Sequence, residues 1–389
     1  MTKVMTPLKS LAASIGEERV KTDPHFTAKY AVDQCIPGAV IFPETIEQVR
    51  EAVVCADQSR LSLITWGMGT KMSMGRVPEH IDAVLCTSRM DNILDADPAN
   101  LTVTVEAGVL YRDLQARLVS QEDRCYLPVG DDDFDDILCS DREHSGCFVA
   151  VDPLHSDRAT MGGILAGNSS GPRQLLYGLP RDHVLGVRFV SAQGDIVGAG
   201  GKTVKNVSGY DMSKLMIGSM GTLGILCETT LRLLPMPEKM ESVLLSFESL
   251  SAATAFTDAV FDTPLLPAAV EIMNHRPLAH LAVGRNFSMK VGDHVVAVAL
   301  EAFTDAVDRM RETFLNLAAD IGAMENRVLE DRDHRRFWQN VSTLEASLAG
   351  PWPDLMCLHL NYPISAYHAV MGFCTQILSA ADIPFSILT

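Results

Sequence analysis

Residues 159–172, ATMGGILAGNSSGP, constrain the fold of this chain more than any other stretch. Four Gly, two Ala and two Ser leave almost no side chain there. Such a backbone packs tightly or approaches a ligand closely, and it turns several N–H groups toward one anion. Asn168 and Ser169 add side-chain donors. A second glycine loop, Trp66-Gly67-Met68-Gly69-Thr70-Lys71, closes an apolar strand, and in a third segment Gly218, Gly221 and Gly224 recur every three residues with Ser219 and Thr222 among them. Each alone reads as a tight turn in a crowded core or as one wall of a diphosphate cradle, because a lone glycine motif is weak evidence. None has the GxxxxGK[ST] of a P-loop or the GxGxxG of a dinucleotide Rossmann turn, which argues against those two cofactor modes.

The frame around these loops is mixed. Ala39–Ile41 predicts a short strand closed by Pro43. Thr45 with Gln48 fits a capping box, and Ile46, Val49, Val53 and Ala56 recur at helical spacing to about Ser59. Leu61–Thr65 predicts the next strand, so the first glycine loop sits at the carboxyl end of a βαβ unit. Ala83–Thr87 and Leu101–Val105 predict strands, Tyr111–Ser120 a helix, and Val184–Val190 with Asp195–Val197 a hairpin. Residues 121–158 break this rhythm with the acidic run Gly130–Asp136, which reads as a solvated loop or as a docking surface for a basic partner. Beyond Pro235-Met236-Pro237, strands at Val243–Phe247, Ala268–Met273, His294–Glu301 and Leu355–Leu360 alternate with helices at Leu250–Phe261, Thr304–Ile321, Arg335–Leu348 and Ala366–Ala381. Repeated strand–helix–strand units on one antiparallel sheet predict a ferredoxin-like layer. The pattern of a further strand begins at Pro384, and Thr389 falls inside it, which predicts a truncated carboxyl terminus.

Composition narrows the function classes. The net charge of −17 argues against nucleic acid as the main partner, without excluding one anion held by backbone amides. No apolar run approaches the ~20 residues of a membrane span. The amino terminus lacks the apolar core and cleavage site of a secretory signal. Nine Cys without a CxxC pair or a His-rich metal spacing fit a reducing cytosol and predict neither a disulfide framework nor a metal site.

With these residues in order, the chain resembles the vanillyl-alcohol oxidase/p-cresol methylhydroxylase (PCMH-type) FAD-binding superfamily. Within it, the chain is most similar to the small, E-type FAD-binding subunits of bacterial glycolate oxidases. The resemblance rests on Pro43 with the Thr45–Val53 helix, loop 66–71, Val105-Glu106-Ala107-Gly108, Ala159–Pro172, Tyr177-Gly178, Arg181–Gly186 and most of 200–235. It is strong over 39–120 and 152–236 and weak over 240–389. It implies an α+β fold: an N-terminal helical extension (1–35), a two-subdomain PCMH-type FAD-binding domain (36–236, with the acidic insert at about 121–158), and an incomplete ferredoxin-like cap (237–389).

The resemblance also implies site residues. Gly67, Met68, Gly69, Thr70 and Lys71 would offer amides to the FAD pyrophosphate. Thr160, Met161, Gly162 and Gly163, with Asn168, Ser169 and Gly171, would line its other side, and Gly221, Gly224 and Ile225 would lie near the adenosine. Relatives with a covalent flavin often carry His in the first glycine loop, where this chain has Thr70, so a non-covalent FAD is expected.

No catalytic residue is assigned. His183 and Asp211 read as structural, Trp66 and Trp338 as core or cover, His359 as a strand residue, and Lys205 as a brace or a phosphate contact. The late His-x-His and His-Gly-Asp-Gly motifs of relatives that oxidise 2-hydroxy acids are missing. The resemblance therefore implies a cytoplasmic flavin-carrying subunit of a glycolate or 2-hydroxy-acid dehydrogenase. It would work beside a second FAD-binding catalytic subunit and an iron–sulfur subunit, through which the complex could lie against the inner membrane. A self-sufficient flavin dehydrogenase and a scaffold that keeps the fold without redox work are the alternatives.

Overall fold

The computed structural model describes residues 2–119, 146–202, 210–281 and 293–349, and further along 352, 355–358, 360, 362, 363 and 366–380. The acidic run at 130–136, Lys205, His359 and the strand expected from Pro384 lie outside the described residues. The chain divides into two compact units. Of the described residues, the first takes those up to 119 and then 146–171 and 178–236, and the second takes 172–177 and those from 237.

The first unit holds two main sheets. Strands β1 (Val20–Lys21), β2 (Ala39–Ile41), β3 (Leu63–Trp66) and β4 (Ala83–Cys86) order as β1-β2-β4-β3, with β2 and β3 both parallel to β4. Parallel neighbours need a crossover, and the helix Ile46–Ser59 follows β2 to supply it. Thr45 Oγ1 accepts from Gln48 N at 3.3 Å, while Gln48 Oε1 accepts from Glu44 N at 2.8 Å. The return bond of the capping box thus falls one residue earlier than its usual place. The helix stops where Arg60 turns left-handed at φ 51°. Its apolar stripe, Ile46, Val49, Ala52 and Val53, packs with Leu8, Leu11 and Ile15 of the helix Thr2–Ile15. Burying each large aliphatic side chain of that layer stabilises by roughly 1.5–3 kcal/mol.

The second sheet is antiparallel throughout, in the order β5-β6-β10-β8-β9: β5 Ile93–Asp97, β6 Thr102–Glu106, β8 Val184–Ser191, β9 Ile196–Gly200 and β10 Gly224–Arg232. A short β7 (Cys147–Phe148) pairs with β11 (Leu234–Pro235). Val103 and Val105 of β6 bury against Leu114 and Leu118 of the helix Tyr111–Val119 and against Met161 and Ile164. Strand β5, Ile-Leu-Asp-Ala-Asp, has little β propensity and forms as an edge strand because β6 offers it a ladder.

The second unit contains β12 (Lys239–Phe247), β13 (Ala269–Asn274), β14 (His294–Ala302) and β15 (Glu325–Glu330), antiparallel in the order β13-β14-β12-β15. With Leu250–Phe261 following β12 and Thr304–Ile321 following β14, this is the ferredoxin-like order. Val243, Leu245 and Phe247 pack with Phe256, Val307, Met310 and Phe314 of those helices. Leu244, Ala297 and Ala299 pack with Phe337, Trp338 and Val341 of the helix Asp331–Ser342. Strands covered on both faces read as continuous apolar runs.

Three sequence expectations need correction. The helix expected over Arg335–Leu348 is two helices, Asp331–Ser342 and Leu344–Ala349. Ser342 Oγ and Thr343 Oγ1 both donate to Gln339 O at 2.9 Å and compete with the backbone at the break. No ladder forms at Leu355–Leu358 or Leu360, where Met356 is 78% and Leu358 71% exposed, so the alternation there meets no partner strand. Strand β15, Glu-Asn-Arg-Val-Leu-Glu, was not expected, because its charges hide a strand that pairing with β12 imposes.

Candidate cofactor-binding site

The site is built from the residues that follow β3. Chain direction turns at Gly67, and a Cβ placed there would overlap Thr160 Oγ1. The first and second glycine segments therefore meet backbone to side chain, with no room for anything larger than glycine. Thr160 caps the short helix Met161–Ala166 by accepting from Gly163 N at 3.2 Å. Met161 N donates to Val109 O at 2.8 Å and Gly162 N to Ala107 O at 2.8 Å, which ties that helix to the end of β6. A Cβ on Gly167 would meet Lys71 Cδ at 2.9 Å, so the far ends of the first two segments also lie together.

The third segment closes the group. Gly218 N donates to Leu165 O at 2.9 Å and Met220 N to Ala166 O at 2.8 Å, satisfying carbonyls at the end of the Met161–Ala166 helix. Gly221, at φ 71°, adopts the left-handed conformation glycine favours, and its missing Cβ would stand 2.7 Å from Thr65 Oγ1 of β3. Gly224 and Ile225 then open β10, opposite Ser191 and Val190. The structure thus brings the segments 66–71, 160–171 and 218–225 into one group within the first unit.

The group carries unspent polar capacity. Asn168 Oδ1, Ser169 Oγ, Ser170 Oγ and Ser219 Oγ are buried, with no hydrogen-bond partner among the described residues. Buried polar atoms are nearly always paired, so four orphans on adjoining turns mark a place where a polar ligand belongs. Beside them Met68, Met220 and Leu223 are 44–48% exposed, which gives the same surface an apolar part. A polar, amide-rich turn next to apolar cover suits a diphosphate joined to flat rings. Ser170 and Ser219 lie within segments the sequence singles out, and burial without partners among the described residues is what distinguishes them from ordinary turn serines.

The other residues singled out in the sequence have these places in the fold. Cys86 Sγ donates to Gly67 O at 3.5 Å, and burial pushes its thiol up, away from the thiolate. His183 is fully buried at the foot of β8. Asp211 caps the helix Met212–Met216 by accepting from Lys214 N at 3.2 Å. Trp66 packs edge-on against Tyr30, with ring centroids 5.3 Å apart. Trp338 is buried in the second unit, where its Nε1 donates to Ser242 Oγ at 2.8 Å.

Converging glycine turns at the carboxyl edge of a βαβ unit, backed by an antiparallel sheet, make up a fold of the PCMH type. Residues 37–128 and 142–200 match the family described as FAD binding domain (FAD_binding_4). The interruption in that match includes the acidic run.

The chain is similar to glycolate oxidase subunit GlcD of Bacillus subtilis (strain 168), at 33% identity over 63% of this chain and 47% of that protein. It is similar to the D-lactate dehydrogenase of Archaeoglobus fulgidus at 29% identity over 74% of this chain and 58% of that protein. The chain thus spans about half the length of these relatives. The solved structure of p-cresol methylhydroxylase with substrate bound shares the fold, with a TM-score of 0.68 at 16% identity over 90% of this chain and 72% of that one. No helix of the described residues is long and apolar enough to cross a membrane.

Proposed function

We propose that the chain is an FAD-dependent oxidoreductase acting on the CH–OH group of a small 2-hydroxy acid. The observation that carries this reading is the meeting of three glycine segments around four buried polar atoms that have no partner among the described residues. Relatives named for glycolate and D-lactate oxidation support the substrate class. When bound, FAD supplies a two-electron acceptor. The chain's own residues bind, orient and shield. Amides of Gly67, Met68, Gly69, Thr70 and Lys71 bind the diphosphate, while Thr160–Gly163, whose Met161, Gly162 and Gly163 amides are already bonded within the fold, line its other side. Asn168, Ser169 and Gly171 hold that side, and Gly221, Gly224 and Ile225 flank the adenosine. Met68, Met220 and Leu223 exclude water from the apolar part. The FAD is held non-covalently: Thr70 stands where a His would attach it, and the nearby Cys86 thiol is protonated.

In its finer form the reading is a flavin-carrying subunit of a glycolate oxidase-type complex that passes electrons to an iron–sulfur subunit. A relative named as a glycolate oxidase subunit supports that division of labour. A relative named simply as a D-lactate dehydrogenase favours the other form, a self-sufficient enzyme. One anaerobic experiment decides. Flavin absorbance that bleaches with glycolate or D-lactate in the purified chain supports the self-sufficient form. Flavin that bleaches only after a partner subunit is added supports the subunit, and a chain that takes up no FAD overturns both.

A further inference from the structure

Across the three converging segments 66–71, 160–171 and 218–225, all within the first unit, a single residue carries a charge, Lys71. The others are Gly, Ser, Thr, Asn and apolar residues. The chain as a whole has a net charge of −17, which opposes the approach of an anion. A dianionic ligand therefore needs a local positive charge, and these segments offer this one.

The side chain of Lys71 lies against the end of the Met161–Ala166 helix. Its Cδ and Cε come within 2.9 and 3.0 Å of where a Cβ on Gly167 would stand, so only glycine at 167 leaves the lysine this path. Nζ, one bond past Cε, is buried. An ammonium held out of bulk water attracts an anion more strongly than one on the surface.

The helix end does not need this ammonium as a cap. Gly163 O accepts from Gly167 N at 3.1 Å and Ile164 O from Ser169 N at 2.9 Å. Leu165 O accepts from Asn168 N at 3.0 Å and Ala166 O from Met220 N at 2.8 Å. The carbonyls that a lysine near a helix C-terminus ordinarily serves thus have backbone donors already. On the turn that follows Gly167, Asn168 Oδ1, Ser169 Oγ and Ser170 Oγ are buried without a partner among the described residues. Cation and turn together suit a ligand that is anionic and rich in acceptors.

We propose that the Lys71 ammonium is the counter-charge of the FAD diphosphate, carried across Gly167 to the turn Asn168–Gly171. The proposal rests on the FAD reading above and gives Lys71 a side-chain role beyond its backbone amide.

The test titrates flavin-free protein with FAD, read by flavin fluorescence, beside melting temperatures without FAD. Lys71→Met keeps the stalk and removes the charge. Its Kd should be about tenfold higher, with a parent-like melting temperature. Lys71→Arg restores the charge and should recover most of the affinity. Lys9→Met removes the same charge from an exposed position on the helix Thr2–Ile15 and should bind like the parent. Gly167→Ala displaces the stalk and should also weaken FAD, but no further loss should follow when Lys71→Met is already present. Should Gly167→Ala fail to fold, the Lys71 variants decide alone. Parent-like affinity in Lys71→Met, no recovery in Lys71→Arg, or an equal loss in Lys9→Met overturns the proposal while leaving FAD binding intact. A parent that binds no FAD overturns the cofactor reading itself, and the proposal with it.

Discussion

Thr160 Oγ1 lies where the Cβ of any residue but glycine at position 67 would have to stand, and it is also the cap that accepts from Gly163 N. One hydroxyl thus fixes both the start of the Met161–Ala166 helix and its distance from the first glycine loop. Gly67→Ala must displace it. Overpacking of this kind typically costs about 1–3 kcal/mol. The variant should melt at lower temperature and purify with little flavin per polypeptide. A melting temperature and flavin ratio like the parent's would mean that the two segments are not in this register.

Removal of the partnerless hydroxyls should act in the opposite sense on the two states. Ser169→Ala and Ser219→Ala delete groups with no partner among the described residues, so the flavin-free protein should be as stable as the parent or slightly more stable. Each hydroxyl should contribute about 0.5–1.5 kcal/mol once the ligand supplies its partner, so FAD affinity should fall about two- to tenfold. Calorimetry without FAD and titration with it separate the two effects. Loss of apoprotein stability with unchanged affinity would assign both serines to the fold.

Gly163→Asp probes charge rather than space. A Cβ at Gly163 meets only Thr160 Oγ1, at 3.1 Å, so the fold needs little adjustment. At the third position of the helix a carboxylate is favourable for the helix itself. Toward a diphosphate it is not, since like charges about 4 Å apart repel by about 4 kcal/mol at intermediate dielectric. The expected protein is folded, with parent-like circular dichroism, and lacks flavin. A folded variant that keeps its flavin would move the cofactor away from this helix.

Much of this frame is legible in the residues, and what is not has physical causes. Val307, Met310, Phe314 and Ala318 announce the helix Thr304–Ile321, and all four are buried as that stripe requires. The Met161–Ala166 helix is invisible to propensity because Gly162 and Gly163 oppose it; the Thr160 cap and the bonds to Val109 and Ala107 impose it. Glycine spacing names the three segments, but their meeting depends on bonds such as Gly218 N to Leu165 O, between residues far apart in sequence. Glu301 reads only as the end of an apolar strand, since nothing near it in sequence points to Arg173 or Tyr177.

Flavin attachment gives a direct chemical test. The sequence places Thr70, not a nucleophile, in the first glycine loop, and the closest thiol to that loop named above, Cys86, is held protonated by burial. Precipitation of the flavin-loaded protein with acid should leave all yellow colour in the supernatant. Colour retained in a washed pellet would require a covalent bond and a different set of residues around the ring.

The last expectation concerns acid. Burial works to raise the Glu301 carboxyl, but Arg173, with His334 and Tyr177, outweighs it and holds the group below its ordinary value of 4.5. A carboxyl whose folded value lies below its unfolded one contributes stability that is fully present above the unfolded value and disappears as pH falls through the folded one. The Glu301 contribution should therefore be flat from neutral pH down to about 5 and be lost progressively in stronger acid. Asp308 is also lowered, chiefly by its hydrogen bond with Lys239, so the parent loses stability in acid from more than one group. Its 40% exposed side chain gives it the smaller share. The difference between parent and Glu301→Gln isolates Glu301. Their urea midpoints should differ most near neutral pH and converge as the parent's carboxylate takes up its proton. Midpoints that stay equally far apart throughout the acid range would mean that the Glu301 carboxyl takes up its proton at the same pH in the folded as in the unfolded chain, so that Arg173 does not favour its ionised form.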